Sequence, residues 1–167
     1  AGRLNRRLGA AQFWGHPPGR SYPGLGPTKP AKPPLPAYRL AERAARGAKS
    51  AWQLQGAGAV GSQALMGLPT LHRLRSDPAL REVSTVWPFE TGPLLPPRPH
   101  GRGRIVHAEV YPSLLAVEPV PGQVKDEAQV VSLAAWLARQ DASHESARIR
   151  SRELVLREEG GILGALP

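Results

Sequence analysis

The chain has 167 residues, 41% of them hydrophobic and 21% charged, proportions that suit one soluble globular domain and exclude a disordered tail. It contains no cysteine, which excludes disulfide scaffolds, zinc sites built on thiolates and cysteine nucleophiles. The net charge of +9 sits at one end: residues 1–50 hold ten Lys or Arg against the single acid Glu42, and the remainder holds twelve of each.

Residues 1–49 therefore read as a basic arm and residues 50–167 as the domain proper. With 18 glycines and 19 prolines the fold must be rich in loops. Eight of the prolines lie in the arm, all between Gly15 and Tyr38, a stretch that cannot be helical because proline lacks the amide donor and clashes with the preceding turn. Arg3, Arg6, Arg7, Arg20, Lys29 and Lys32 are interleaved there with Phe13, Trp14, Tyr22 and Tyr38, the mixture that contacts phosphate backbones and stacks on bases. The competing reading is a solvated, partly packed loop with aromatic anchors. No apolar run approaches the roughly eighteen residues of a membrane span, and the first thirty residues lack the apolar stretch of a signal peptide. A cytoplasmic protein that does not enter the membrane is expected. The opening at Ala1 reads as mid-protein sequence, so a fragment is expected too.

Beyond Ser50, AWQLQ (51–55) is a short strand candidate. The glycine turn after it leads into a helix that Pro69 is expected to interrupt. REVSTVWPFE (81–90) has the β-branched and aromatic content of a strand ending at Glu90. RIVHAEVYP (104–112) is the strongest strand, with Ile105, His107, Glu109 and Tyr111 on one side and Val106, Ala108 and Val110 on the other. KDEAQVVSLAAWLARQDA (125–142) predicts an amphipathic helix with Val130, Ala134, Leu137 and Ala138 along its apolar stripe and Asp126 in its first turn. A last helix is expected from a capping Ser143 to Gly160 and Gly161. Strands alternating with helices argue α/β, although three strand candidates are few for a sheet covered on both faces.

Two patterns carry chemistry. GAGAVG, with Gly56, Gly58 and Gly61, fits the GxGxxG turn that brings pyrophosphate to a helix N-terminus, yet the strand before it is short and the next strand-borne acid, Glu90, lies too far on for a ribose contact. Close packing of a turn is the alternative role for these glycines. Glu109 on a strand and Asp126 at a helix start are candidates to converge at one sheet edge and hold a hard cation such as Mg²⁺ for phosphate chemistry, with Glu90 as a third ligand. Their alternative is an arginine ion pair and a helix N-terminal acid favoured by the dipole. His16, His72, His100, His107 and His144 show no HExxH spacing, and Ser62 lacks the glycines of GxSxG, so neither a zincin nor a serine hydrolase is indicated.

Through FWG at Phe13, YRLAE at Tyr38, WQLQGAGAVGSQALMGLP, VWPFETG, VHAEVYPSL, VKDEAQV and REEGGILG, the sequence resembles an uncharacterised bacterial family similar to the domain of unknown function 429 group. The resemblance implies a ribonuclease H-like fold over nearly the whole chain. Relatives begin with strands carrying VDWSG-like and FDFPFG-like motifs that are missing here, and they tend to have a tryptophan after the first glycine where this chain has GGILG. The resemblance thus implies the C-terminal part of such a domain, with Glu109 and Asp126 matching acids that, together with a first-strand Asp, hold two metal ions.

The expectation is an incomplete α/β ribonuclease H-like domain behind a basic arm. Its function would be Mg²⁺-dependent phosphodiester hydrolysis, inactive in this truncated form, with Glu109 and Asp126 as catalytic ligands and a nucleic acid or nucleotide as partner. The alternative is a non-catalytic nucleotide-binding module using Gly56, Gly58 and Gly61.

Overall fold

The computed structural model describes residues 1–92, 104–117, 119–142 and 158–163. In chain order these form helix α1 (Gly2–Leu8), helix α2 (Leu40–Ala44), helix α3 (Gly61–Ser76), strands β1 (Ser84–Val86) and β2 (Ile105–His107), a 3₁₀ turn (Pro112–Leu114) and helix α4 (Lys125–Ala142). Helices thus accompany one small sheet, in which β1 and β2 run parallel with Ser84 opposite Ile105 and Val86 opposite His107. No helix among the described residues is long and apolar enough to cross a membrane.

Two small cores meet at the chain's last described turn. Trp87 and Leu163 are buried together, with Val106, Ala108 and Leu137 packed on them. Ala45 and Ile162 form the second core with Ala41, Ala48, Tyr111 and Leu114. Adjacent residues Ile162 and Leu163 join the two, and the Leu163 amide donates to the Glu109 carbonyl at 2.8 Å. The chain turns into this position at Gly160, whose φ of 75° is costly for any residue with a Cβ.

The strands are shorter than the sequence patterns suggested, each for a local reason. AWQLQ is no strand: it retains one isolated bridge, Trp14 with Gln53, secured by bonds from the Trp14 amide to the Trp52 carbonyl and from the Leu54 amide to the Trp14 carbonyl. Pairing cannot extend because Trp14 is followed within four residues by Pro17 and Pro18, which have no donor for a ladder. In REVSTVWPFE only Ser84–Val86 is extended. A cis bond joins Trp87 to Pro88, and the Glu90 amide donates back to the Val86 carbonyl. RIVHAEVYP is regular only over Ile105–His107, after which Glu109 makes a single parallel bridge with Ile162.

The helices also differ from expectation. α3 passes through Pro69 without ending; proline removes one bond there, and the flanking turns carry the helix past it. α4 starts where expected, but its inward face is Ala128, Leu133 and Leu137, while Val130 is 58% exposed and Ala134 and Ala138 face solvent. Leu137 alone of the expected stripe lies on the core side. In α1, which the sequence did not suggest, Gly9 adopts a left-handed conformation and its amide closes on Arg6 and Asn5 carbonyls. Arg6 and Arg7 occupy the last turn, where the helix dipole favours cations. The final helical residues before Gly160 are Glu158 and Glu159; Ser143 and most of the last expected helix lie outside the described residues.

Candidate nucleic-acid interface

The N-terminal fifty residues are pinned through buried amide side chains. Asn5, 4% exposed, uses its whole hydrogen-bonding capacity: Nδ2 donates to the Phe13 carbonyl at 2.9 Å and to the Gly24 carbonyl at 2.8 Å, and Oδ1 accepts from the Gln12 and Phe13 amides. Gln12, fully buried, accepts from the Leu35 amide at 2.9 Å, and the Trp52 indole donates to the Pro36 carbonyl. Proline-rich backbone has few donors to form its own ladder, so these side chains supply the fixed points. Phe13 and Trp14 are buried beneath it, with Phe13 meeting Trp52 edge-on at 5.3 Å. Contacts therefore cross the boundary at residue 49.

This scaffold presents its cations outward. Arg3, Arg6, Arg7, Arg20, Lys29 and Lys32 are all exposed, and none of them forms a salt bridge within the described residues. Arg3 and Arg7 are one helical turn apart in α1 and share a face, where with Ala1 and Leu4 they line a shallow depression of about 300 Å³. Arg6 reaches the Pro23 carbonyl at 3.1 Å, which brings the 22–25 turn against α1. Tyr22 projects from that turn, 43% exposed, with its ring edge-on to His16.

The acids are engaged differently. Arg39 donates through Nη2 to Glu109 Oε1 at 2.7 Å and through Nη1 to Glu109 Oε2 at 3.0 Å, the bidentate pairing that suits guanidinium to carboxylate. Its Nε donates to Glu42 Oε1 at 3.0 Å, and Nη1 also reaches the Glu159 carbonyl. Burial works against the Arg39 charge, but hydrogen bonding and attraction from Glu109 and Glu42 outweigh it and hold the guanidinium above its ordinary value. Glu42 is buried and accepts in addition from the Arg39 and Ala51 amides. Glu90 is gripped by Arg75 at 2.9 Å and accepts from the Val86 amide at 2.7 Å. The Arg75 hydrogen bond, supported by the Val86 amide and nearby positive charge, places the Glu90 carboxyl below its ordinary range. Asp126 stands exposed in the first turn of α4 beside Glu127.

Glu90, Glu109 and Asp126 are thus not gathered: among the described residues no group of three or more His, Cys, Asp or Glu is arranged to hold a metal ion. Both Glu109 oxygens accept from Arg39, so Mg²⁺ at that carboxylate would sit against a guanidinium whose charge repels it. The donor set of the described residues does not fit the ion.

The glycine turn also has a packing role. Gly56 and Gly58 have φ values of 99° and 73°. A Cβ on Gly61 would collide with the Ala51 carbonyl oxygen, and the Gly61 amide donates to the Gln53 carbonyl at 2.8 Å. The amide at the head of α3, which a bound pyrophosphate would need, is therefore occupied. One polar pair had no motif in the sequence: Ser84 Oγ and His107 Nε2 share a hydrogen bond at 2.5 Å between β1 and β2. Ser84 is 1% exposed, which suits a tie between strands and denies a substrate access to its hydroxyl. A period-two reading of either strand gives the facing side but not the cross-strand partner, which depends on register.

Compared with protein-family models, curated proteins and solved structures, the chain matches none. The likeness to the domain of unknown function 429 group accordingly stands on the sequence motifs alone.

Proposed function

We propose that the chain binds nucleic acid through its N-terminal basic face, with phosphate contacts supplying most of the affinity. One observation carries this reading. The ten Lys and Arg of residues 1–50 face a single acid, Glu42, and that acid is buried and bonded to Arg39, leaving the exposed cations of α1 and the proline-rich loop without a neutralising neighbour. A fixed excess of positive charge on an ordered surface attracts a polyanion and releases its condensed counterions.

Hydrolysis of the bound strand by Glu109 and Asp126 is the further step that the geometry supports least, because Arg39 holds Glu109. Nucleotide binding at Gly56, Gly58 and Gly61 has a similar difficulty at the Gly61 amide. Fluorescence anisotropy with a labelled oligonucleotide tests the binding reading. Replacing Arg3, Arg6 and Arg7 together by Gln should weaken binding, whereas Arg81→Gln, a site already paired with Glu82, should leave it nearly unchanged.

A further inference from the structure

Resting on that reading, we propose that the preferred ligand is single-stranded nucleic acid and that Tyr22 is the platform on which one of its bases stacks. Cations alone do not distinguish a single strand from a duplex or from any other polyanion. An aromatic ring held beside those cations does, because a duplex keeps its base faces covered while a single strand offers them.

Tyr22 meets the requirements of such a platform. Its ring is 43% exposed although apolar, and it is supported from one side by the edge-on His16 ring, 5.9 Å between centroids. Its backbone is fixed at both ends of a tight turn. The Leu25 amide donates to the Tyr22 carbonyl at 3.0 Å, while the next two carbonyls, of Pro23 and Gly24, accept from Arg6 and from buried Asn5 at 3.1 and 2.8 Å. A side chain on Gly2 would collide with the Pro23 carbonyl, so α1 and the turn lie in direct contact. The ring is therefore carried on the same rigid unit as Arg3, Arg6 and Arg7, with Arg20 two residues before it in the chain. In this arrangement phosphates lie along α1 and a base of the same strand stacks on the ring. A preplaced aromatic with two rotatable bonds loses little entropy on stacking.

The test measures affinities of the full chain for single-stranded DNA, single-stranded RNA, duplex DNA, an abasic strand of equal length and inorganic polyphosphate. Both single strands should bind more tightly than the abasic strand. Tyr22→Leu should weaken binding to base-bearing strands by about 5- to 100-fold, the effect of losing one stacked base, and leave polyphosphate binding unchanged; Tyr22→Phe should retain tight binding. A preference of DNA over RNA or the reverse identifies which strand is the better source of the base. Equal binding of the abasic and base-bearing strands overturns the stacking proposal while leaving charge-driven binding intact, and this arm needs no variant. Unchanged affinity of Tyr22→Leu for the base-bearing strands overturns it as well. Absence of binding to every polyanion overturns the underlying reading together with the proposal.

Discussion

Arg39 closes on Glu109 with two hydrogen bonds, 2.7 and 3.0 Å long, across seventy residues of chain. The same guanidinium holds buried Glu42, so one cation ties the N-terminal region to the strand segment and, through the Glu159 carbonyl, to the last described turn. Two carboxylates on one arginine should not contribute equally. Glu42→Ala leaves two part-buried amides and the Arg39 Nε without their partner and should cost about 1–3 kcal/mol. Glu109 is 45% exposed, and Glu109→Ala should cost no more than about 1 kcal/mol. Urea unfolding of the two variants reads the difference; equal losses would show that Glu109 has a larger structural role.

Asn5 pins the basic face, since its amide satisfies two carbonyls and two amides, of which the Phe13 carbonyl and the Gln12 and Phe13 amides would be left buried by its removal. Asn5→Ala should destabilise by at least about 1–3 kcal/mol, the penalty for even one unsatisfied buried group. Asn5→Asp should also destabilise, because the carboxylate cannot donate to the Phe13 and Gly24 carbonyls. Thermal unfolding checks both, and in Asn5→Ala hydrogen exchange should show lost protection at the Gln12 and Phe13 amides.

Two helical glycines make a paired test of the packing role assigned to the glycine turn. Gly61→Ala forces a methyl into the Ala51 carbonyl and should cost roughly 1–3 kcal/mol. Gly67, inside α3, has open space where a Cβ would go, so Gly67→Ala should stabilise by roughly 0.5–1 kcal/mol through helix propensity. Opposite signs in the two unfolding midpoints are expected.

The Glu90 carboxyl should titrate below the ordinary value for a glutamate, held down first by the Arg75 hydrogen bond. A folded-state value below the unfolded one adds stability that is present above the unfolded value and is lost as pH falls through the folded one. Unfolding free energy should therefore decline on acidification below the usual carboxylate range, and Arg75→Gln should move the Glu90 titration, followed by NMR, upward. An unchanged titration in that variant would refute the pairing.

What the sequence made legible divides along physical lines. The start of α4 and the stop at Gly160 follow from local signals, helical periodicity and a glycine free to take positive φ. The non-helical course of residues 16–38 follows equally locally from their prolines. Periodicity does not locate the buried face of α4, because Ala134 and Ala138 are as apolar as they are small, and alanine serves on either side of a helix; only Leu137 of that stripe bears on the core. Strand propensity exceeds the strand length that forms, since it cannot report whether a partner strand exists, and Trp14 runs into two prolines after its bridge to Gln53. Glu109 shows the limit most plainly. Its place in a strand-like segment was readable, but the choice between cation ligand and ion-pair partner depends on Arg39, seventy residues away. The Ser84 and His107 contact likewise needs the register of β1 against β2.

The salt dependence of oligonucleotide binding tests the central claim most directly. If Arg3, Arg6, Arg7 and their neighbours contact phosphates, the logarithm of the association constant falls linearly with the logarithm of salt concentration. Replacing those three arginines by Gln then reduces the slope by about 0.7 per lost contact on a single strand. Binding that is absent, indifferent to salt, or of unchanged slope in the triple variant contradicts a phosphate-binding role for the N-terminal face.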